Sequence, residues 1–211
     1  MPQSTGPRSD PPGQGAAPVE PRPAASLLLL RQGMLGPELL MGLRGAGHRF
    51  MPNRLVFPGG AVDAEDHAAP HAAPLRPEVR RHLLAGADGT LADALAIAAA
   101  RELEEETGLT LGRPPRLDGL DYLCRAITPA ALAVRFDARF LVADAATATG
   151  TLAGSGELEG LRFYPADEAL ALDLAVATRS VLEKLLAFLA LDPDQRARQW
   201  TPPVLVERAW Q

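Results

Sequence analysis

One cysteine, Cys124, occurs in 211 residues. An intramolecular disulfide is therefore excluded, which suits a reducing compartment. No His or Asn pattern accompanies Cys124, so it reads as a buried core thiol rather than a nucleophile. Positive charge is also short. The 21 Lys and Arg stand against 26 Asp and Glu, a net charge of −5. No basic field exists to neutralise a run of phosphates, which argues against a general nucleic-acid binder. A small phosphate-bearing substrate carried with metal ions is still compatible with this balance. Long apolar runs are missing too, since a membrane span needs about 20 residues. The strongest run, residues 27–30, is ended by Arg31 and Gln32, and no cleavage site follows. The closing Glu-Arg-Ala-Trp-Gln matches no peroxisomal or retention signal. The expectation is a cytoplasmic chain with a small-molecule partner, neither nucleic acid nor membrane.

The length fits one domain with appendages. Residues 1–25 are rich in Pro, Gly, Ser and Gln, and read as a disordered tail. Residues 26–191 form the expected domain, and residues 192–211 a polar C-terminal tail with a few apolar members able to dock. Strands are expected at 26–31, 38–44, 55–57, 120–125, 134–142 and 161–164. In the fifth, Val134, Phe136, Ala138 and Phe140 alternate with Arg135, Asp137 and Arg139, a half-buried pattern. Residues 45–53 read as a loop carrying His48 and Arg49, and 143–156 as a flexible loop. Short helices are expected at 78–85 and 165–170. A longer one spans 91–107, with Thr90 and Asp93 resembling a capping box. Residues 178–189 are amphipathic, with Val181, Leu182, Leu185, Leu186 and Leu189 on one face. No internal repeat is evident.

The helix at 91–107 ends in Arg101-Glu102-Leu103-Glu104-Glu105-Glu106-Thr107-Gly108. Residues three and four apart share a helix face, so Glu102, Glu105 and Glu106 crowd together with Arg101 alongside. Each like-charge pair costs roughly 0.2–0.5 kcal/mol. Acidic groups at a carbonyl end oppose the helix dipole by roughly 0.3–1 kcal/mol apiece, and Gly108 suits the left-handed cap that marks that end. The cluster is open to two readings: a solvated helix end, or a cradle for a hard divalent cation.

Phe57-Pro58-Gly59-Gly60 leaves a strand upstream. Paired glycines let backbone approach a ligand and aim a carbonyl at a metal. Together with residues 101–109, this stretch resembles the signature of the Nudix hydrolase superfamily: Gly, five residues, Glu, seven residues, then Arg-Glu-apolar-x-Glu-Glu-x-Gly-apolar. The second half matches at every specified position. The first half departs from the pattern, with Asp66 where Glu is specified. Arg101 follows Gly60 by 41 positions, so 27 residues are inserted. The stretch Phe57-Pro-Gly-Gly-Ala-Val-Asp63-Ala-Glu-Asp66 is similar to a branch with an expanded loop, which includes coenzyme A and acyl-coenzyme A diphosphatases. Thr128-Pro129, residues 135–140 and the segment from Glu157 to Pro165 extend the likeness.

The resemblance implies an α/β (α+β) fold, the Nudix α/β/α sandwich with a central mixed β-sheet. It implies a Mg²⁺- or Mn²⁺-dependent hydrolase that cleaves a phosphoanhydride of a nucleoside diphosphate linked to another moiety, preferably coenzyme A or acyl-coenzyme A. The alternatives are a (d)NTP or nucleotide-sugar pyrophosphohydrolase, and a non-catalytic nucleotide-binding module. By the same analogy Glu102, Glu105, Glu106 and the Gly59 carbonyl hold metal. Glu105 is the general base, aided by Glu102, with Arg101 orienting the glutamates. Glu104 points away. Gly60, Arg44 and Arg54 are candidate substrate contacts, and Asp66 is either an anchor behind the site or a helix-cap residue. His67 and His71 read as loop histidines, because Pro70 lies between them and no zinc-protease pattern surrounds them. Glu157 and Glu159 read as structural. The inserted residues 61–90 are where substrate choice is expected to be decided.

Overall fold

The computed structural model describes residues 19–45, 54–85 and 89–211. The expected loop histidine His48 and its neighbour Arg49 lie outside these residues, as does most of the expected N-terminal tail.

The chain opens with a long hairpin, β1 (Arg22–Gly33) and β2 (Gly36–Arg44). β1 starts four residues before the expected Ser26. β3 (Leu55–Val56) and β4 (Gly59–Ala61) follow, then α1 (Pro77–Leu84), α2 (Leu91–Thr107) and β5 (Leu109–Thr110). Next come β6 (Asp121–Ile127), β7 (Phe136–Asp144), β8 (Thr149–Gly150) and β9 (Leu158–Pro165). α3 (Ala166–Ala171), α4 (Val176–Leu189), α5 (Pro193–Gln199), β10 (Val204–Val206) and β11 (Ala209–Trp210) complete the chain.

The main sheet is mixed and runs β11-β10-β6-β7-β1-β2-β3, with β4 on β1 and β9 on β2. β1 is its centre. It pairs parallel to β7 along Arg22–Leu30 and antiparallel to β2 and β4. Leu27 and Leu29 face the layer of α1 and α2, while Leu28 faces α3 and α4. All three are fully buried. An unbroken leucine run is what a strand covered on both faces requires. The α/β/α sandwich with a central mixed sheet is therefore present.

α2 packs Leu95, Ala99 and Leu103 against the sheet, and its alanines bring the backbone close. Gly108 ends it in the left-handed conformation, φ 75°, with its N–H on the Glu104 carbonyl. Thr90 makes no side-chain capping bond. Asp93, the other half of the expected capping box, turns instead to Arg80 at 3.1 Å, so a contact with α1 replaces a local cap.

Three expectations change. The 143–156 loop contains β8, which pairs with β5 beside the cap of α2. The 192–211 tail is structured: Asp192 caps α5 in a capping box with Gln195, and β10 joins the sheet parallel to β6. Trp200 Nε1 donates to the Leu123 carbonyl at 2.9 Å. The alternation on β7 also misleads, because both faces of that strand are covered. Arg139 is 1% exposed. It pairs with Asp137 at 2.6 Å, and Asp137 also takes a bidentate pair from Arg125 at 2.6 and 2.7 Å. Cys124 is fully buried, which pushes its thiol pKa far upward.

Candidate active site

The site forms where β4, the end of α2 and the start of the insertion meet. Gly59 N–H donates to Glu106 Oε2 at 2.8 Å, joining the two halves of the motif across 47 residues. Backbone contact and a φ of 156° require glycine at Gly59, while at Gly60 any side chain would have to displace Glu102. A Cβ on Gly59 would sit 2.6 Å from the Ser26 Cα, and one on Gly60 would collide with the Glu102 carboxylate.

Arg101 is the hub. Its Nη1 donates to Glu102 at 2.8 Å and to Glu105 at 3.0 Å. Its Nε and Nη2 each meet Asp66 at 3.1 Å, and Nη2 also donates to the Ala61 carbonyl at 3.0 Å. Asp66 is 2% exposed and accepts the Asp63 N–H at 2.8 Å. Asp66 is thus joined to Arg101 from behind as well as to the local backbone. Charge-assisted pairs in such a fork hold their partners in orientation. The described part of the insertion thus forms a layer on α2: Leu75, Val79 and Leu83 enter the core, and Asp66 reaches under that helix.

Glu106 is 1% exposed. Burial pushes its pKa up to about 8, against the Gly59 N–H that favours the anion, with the Glu102 and Glu157 charges adding to the rise. Its Oε1 has no hydrogen-bond partner, and Arg44 Nη2 stands 3.9 Å away. Burial likewise raises Glu102, opposed by Arg101. Glu157, read from sequence as structural, is close enough for its charge to act on both glutamates. Its only sequence signal was its place before a strand. Glu105 is 57% exposed and Glu104 is drawn off by Arg113, which lowers its pKa.

The expected ligand set of Glu102, Glu105, Glu106 and Gly59 shares this one corner. Even so, among the described residues no three His, Cys, Asp or Glu side chains are grouped as a metal cage. Arg101 holds Glu102 and Glu105 instead. His67 and His71 join no such group either. The donor chemistry still fits a hard divalent ion. All the groups are oxygen donors, and the orphaned, buried Glu106 Oε1 is the kind of atom a cation satisfies.

A cavity of about 480 Å³ opens from Gly59 and Gly60 on the far side of the sheet from α2. Its walls come from Val56 and Phe57, from Ala126 to Pro129, from Phe136, Ala138 and Phe140, and from the start of α4. Leu132 and Val176, exposed by 47% and 51%, form its rim. Leu205 and Arg208 from the C-terminal strands close it, and nothing in their local sequence marked them. Of the two arginines read as substrate contacts, Arg44 lines it and Arg54 does not. Arg54 pairs with Asp173 and donates to its carbonyl at 3.0 Å, which corrects its assignment to substrate. None of the described residues between 61 and 90 lines this cavity. A second, more open groove runs along the other side of α2 past Asp66, Pro70, Glu104 and Glu105.

This arrangement can be set beside known proteins. The family profile described as the NUDIX domain matches residues 87–185. The structure aligns with a NUDIX hydrolase from Alicyclobacillus acidocaldarius at TM-score 0.65 and 24% identity, covering 88% of this chain and 99% of that one. The chain has the Nudix fold. A MutT NUDIX hydrolase from Burkholderia pseudomallei aligns at TM-score 0.51 and 24% identity, over 79% of this chain and 99% of that one. The NUDIX domain of Shewanella oneidensis NrtR, complexed with ADP ribose, aligns at TM-score 0.51 and 17% identity, over 86% and 94%. Compared by sequence with the curated proteins, the chain matches none. The NUDIX match begins at residue 87, near the end of the insertion, so it covers the Arg101–Gly108 half of the motif and leaves out Gly59 and Gly60. The Gly59–Glu106 hydrogen bond restores the missing half. The NUDIX domain match supports a hydrolase that acts on pyrophosphate bonds.

Proposed function

We propose that the protein is a divalent-metal-dependent diphosphatase. It cleaves the phosphoanhydride of a nucleoside diphosphate linked to another moiety, preferably coenzyme A or an acyl-coenzyme A. One observation carries the reading. The Gly59–Gly60 turn is bound to the buried Glu106, beside Glu102 and Arg101, and opens directly on a large apolar cavity.

Glu102, Glu105, Glu106 and the Gly59 carbonyl are the groups that would hold Mg²⁺ or Mn²⁺. Such an ion neutralises diphosphate charge as a Lewis acid and acidifies water. Glu105, the most exposed of the three carboxylates, takes the proton of the attacking water. Arg101 keeps Glu102 and Glu105 aimed at the same place, and Asp66 keeps Arg101 there. Arg44 sits between Glu106 and the cavity, where it meets a substrate phosphate.

The cavity suits the nucleoside half of the substrate. Among the described residues Arg44 and Arg208 line it and no carboxylate does, whereas the groove across α2 sets Arg101 and Arg113 among Glu65, Asp66, Glu104 and Glu105. A polyanionic ligand is drawn to the first by its two arginines. Likeness to a NUDIX domain complexed with ADP ribose makes a nucleotide sugar the second reading.

A substrate panel with Mg²⁺ decides between them. Release of 3′,5′-ADP and 4′-phosphopantetheine from coenzyme A is expected. Rapid turnover of ADP-ribose or dNTPs, with coenzyme A untouched, would reject the preference. Absence of metal-dependent turnover across the whole panel would leave a binding module.

A further inference from the structure

The C-terminal hairpin does more than extend the sheet. β10 pairs with β6 and places Leu205 in the cavity wall. The turn into β11 holds Glu207 and Arg208 at φ 48° and 68°, a left-handed conformation in which residues other than glycine are uncommon and strained. Glu207 has a local use there. Its Oε1 accepts the Ala130 N–H at 2.9 Å, tying the hairpin to the loop that carries Thr128, Pro129 and Leu132 at the cavity. Arg208 has none. Among the described residues it makes no hydrogen bond or ion pair, although it lines the cavity. Among the described residues the other cation lining it is Arg44, at the end of β2 beside Glu106, while Arg208 sits on the β10–β11 hairpin toward the other edge of the sheet. The rest of the lining is mainly apolar, with Ser26, Thr128 and Thr178 as its polar members.

We propose that Arg208 reads a second phosphate on the nucleoside half of the substrate, remote from the scissile diphosphate. The proposal rests on seating that half in the cavity. An elongated ligand with an apolar middle and an anion at each end matches two separated arginines and no carboxylate. A guanidinium meets a phosphate by two parallel charge-assisted bonds. A nucleoside lacking the second phosphate leaves Arg208 without a partner. Discrimination of roughly ten- to a hundredfold is expected from one such interaction.

Calorimetric titration of the full-length protein with adenosine 3′,5′-bisphosphate and with AMP tests this without turnover. The wild type should bind the bisphosphate at least about tenfold more tightly. Arg208→Gly removes the guanidinium and suits the left-handed backbone, so it folds, as a thermal melt will verify. In it the gap should close through weaker bisphosphate binding, and Arg208→Lys should restore part of it. Equal affinities in the wild type, or a gap that survives Arg208→Gly, would overturn the role of Arg208 alone. Loss of affinity by the same factor for both nucleotides in Arg208→Gly would overturn it as well. Failure of both nucleotides to bind the wild type would overturn it together with the seating of the nucleoside. None of these outcomes depends on whether coenzyme A is hydrolysed.

Discussion

Glu106 and Glu105 are neighbours in sequence with opposite surroundings. Glu105 is open to water, and its carboxylate is held by Arg101. Glu105→Gln should keep the fold and lower kcat by roughly 10²–10⁴, the effect of losing a general base, read by steady-state assay on the best panel substrate. A folded variant with wild-type turnover would remove Glu105 from that role. Glu106 is buried, with a pKa of about 8 instead of the ordinary carboxylate value near 4.5. The folded chain therefore keeps a proton that the unfolded chain releases between about pH 4.5 and 8. Over that window stability falls as pH rises, because the unfolded state binds fewer protons. Below pH 4.5 both states are protonated and the effect vanishes. In EDTA, Glu106→Gln should gain stability relative to the wild type across this window. Urea unfolding at pH 4 and pH 9 measures it, and a constant difference between the two proteins would contradict the assignment.

At the scale of elements, the insertion and the C-terminal strands each supply something the motif lacks. The 3₁₀ turn Glu65–His67 puts Asp66 under Arg101. Asp66→Ala should lower activity or metal affinity about 10–100-fold, as loss of an orienting partner does. The apparent Mg²⁺ constant from an activity titration will show which. Unchanged activity and metal constant would make Asp66 merely structural. The helix bearing the glutamates was legible because its spacing and its glycine cap act locally. The capping box at Thr90 failed because Asp93 finds Arg80 on a helix that local pattern does not place beside it. The C-terminal tail looked polar and loose because its strands are short, and β10 finds its partner β6 some eighty residues away. No local periodicity encodes a parallel pairing at that distance.

For the whole molecule, covering both faces of the sheet has chemical consequences. Cys124 lies between β6 and α4 with its thiol pKa raised by burial. It should resist a thiol-specific dye in the native state and react in step with unfolding in urea. Fast labelling of the native protein would mean the core opens there. Leu103→Ala, under the glutamate cluster, should cost about 2–5 kcal/mol of stability, seen as a lower denaturation midpoint.

The sequence by itself determined the chemistry at the helix end. Arg101, Glu102, Glu105 and Glu106 share a face by helical geometry alone, and Phe57-Pro-Gly-Gly60 can only be a tight approach of backbone to something. Tertiary structure alone decided which of these groups is buried, what holds Arg101, and where a cavity opens. Those properties depend on surfaces far apart in the chain: Gly59 against Glu106, Asp66 under Arg101, and Arg208 across a cavity from Arg44. Burial and electrostatic environment are set by what packs on a residue, and spacing along the chain does not specify that.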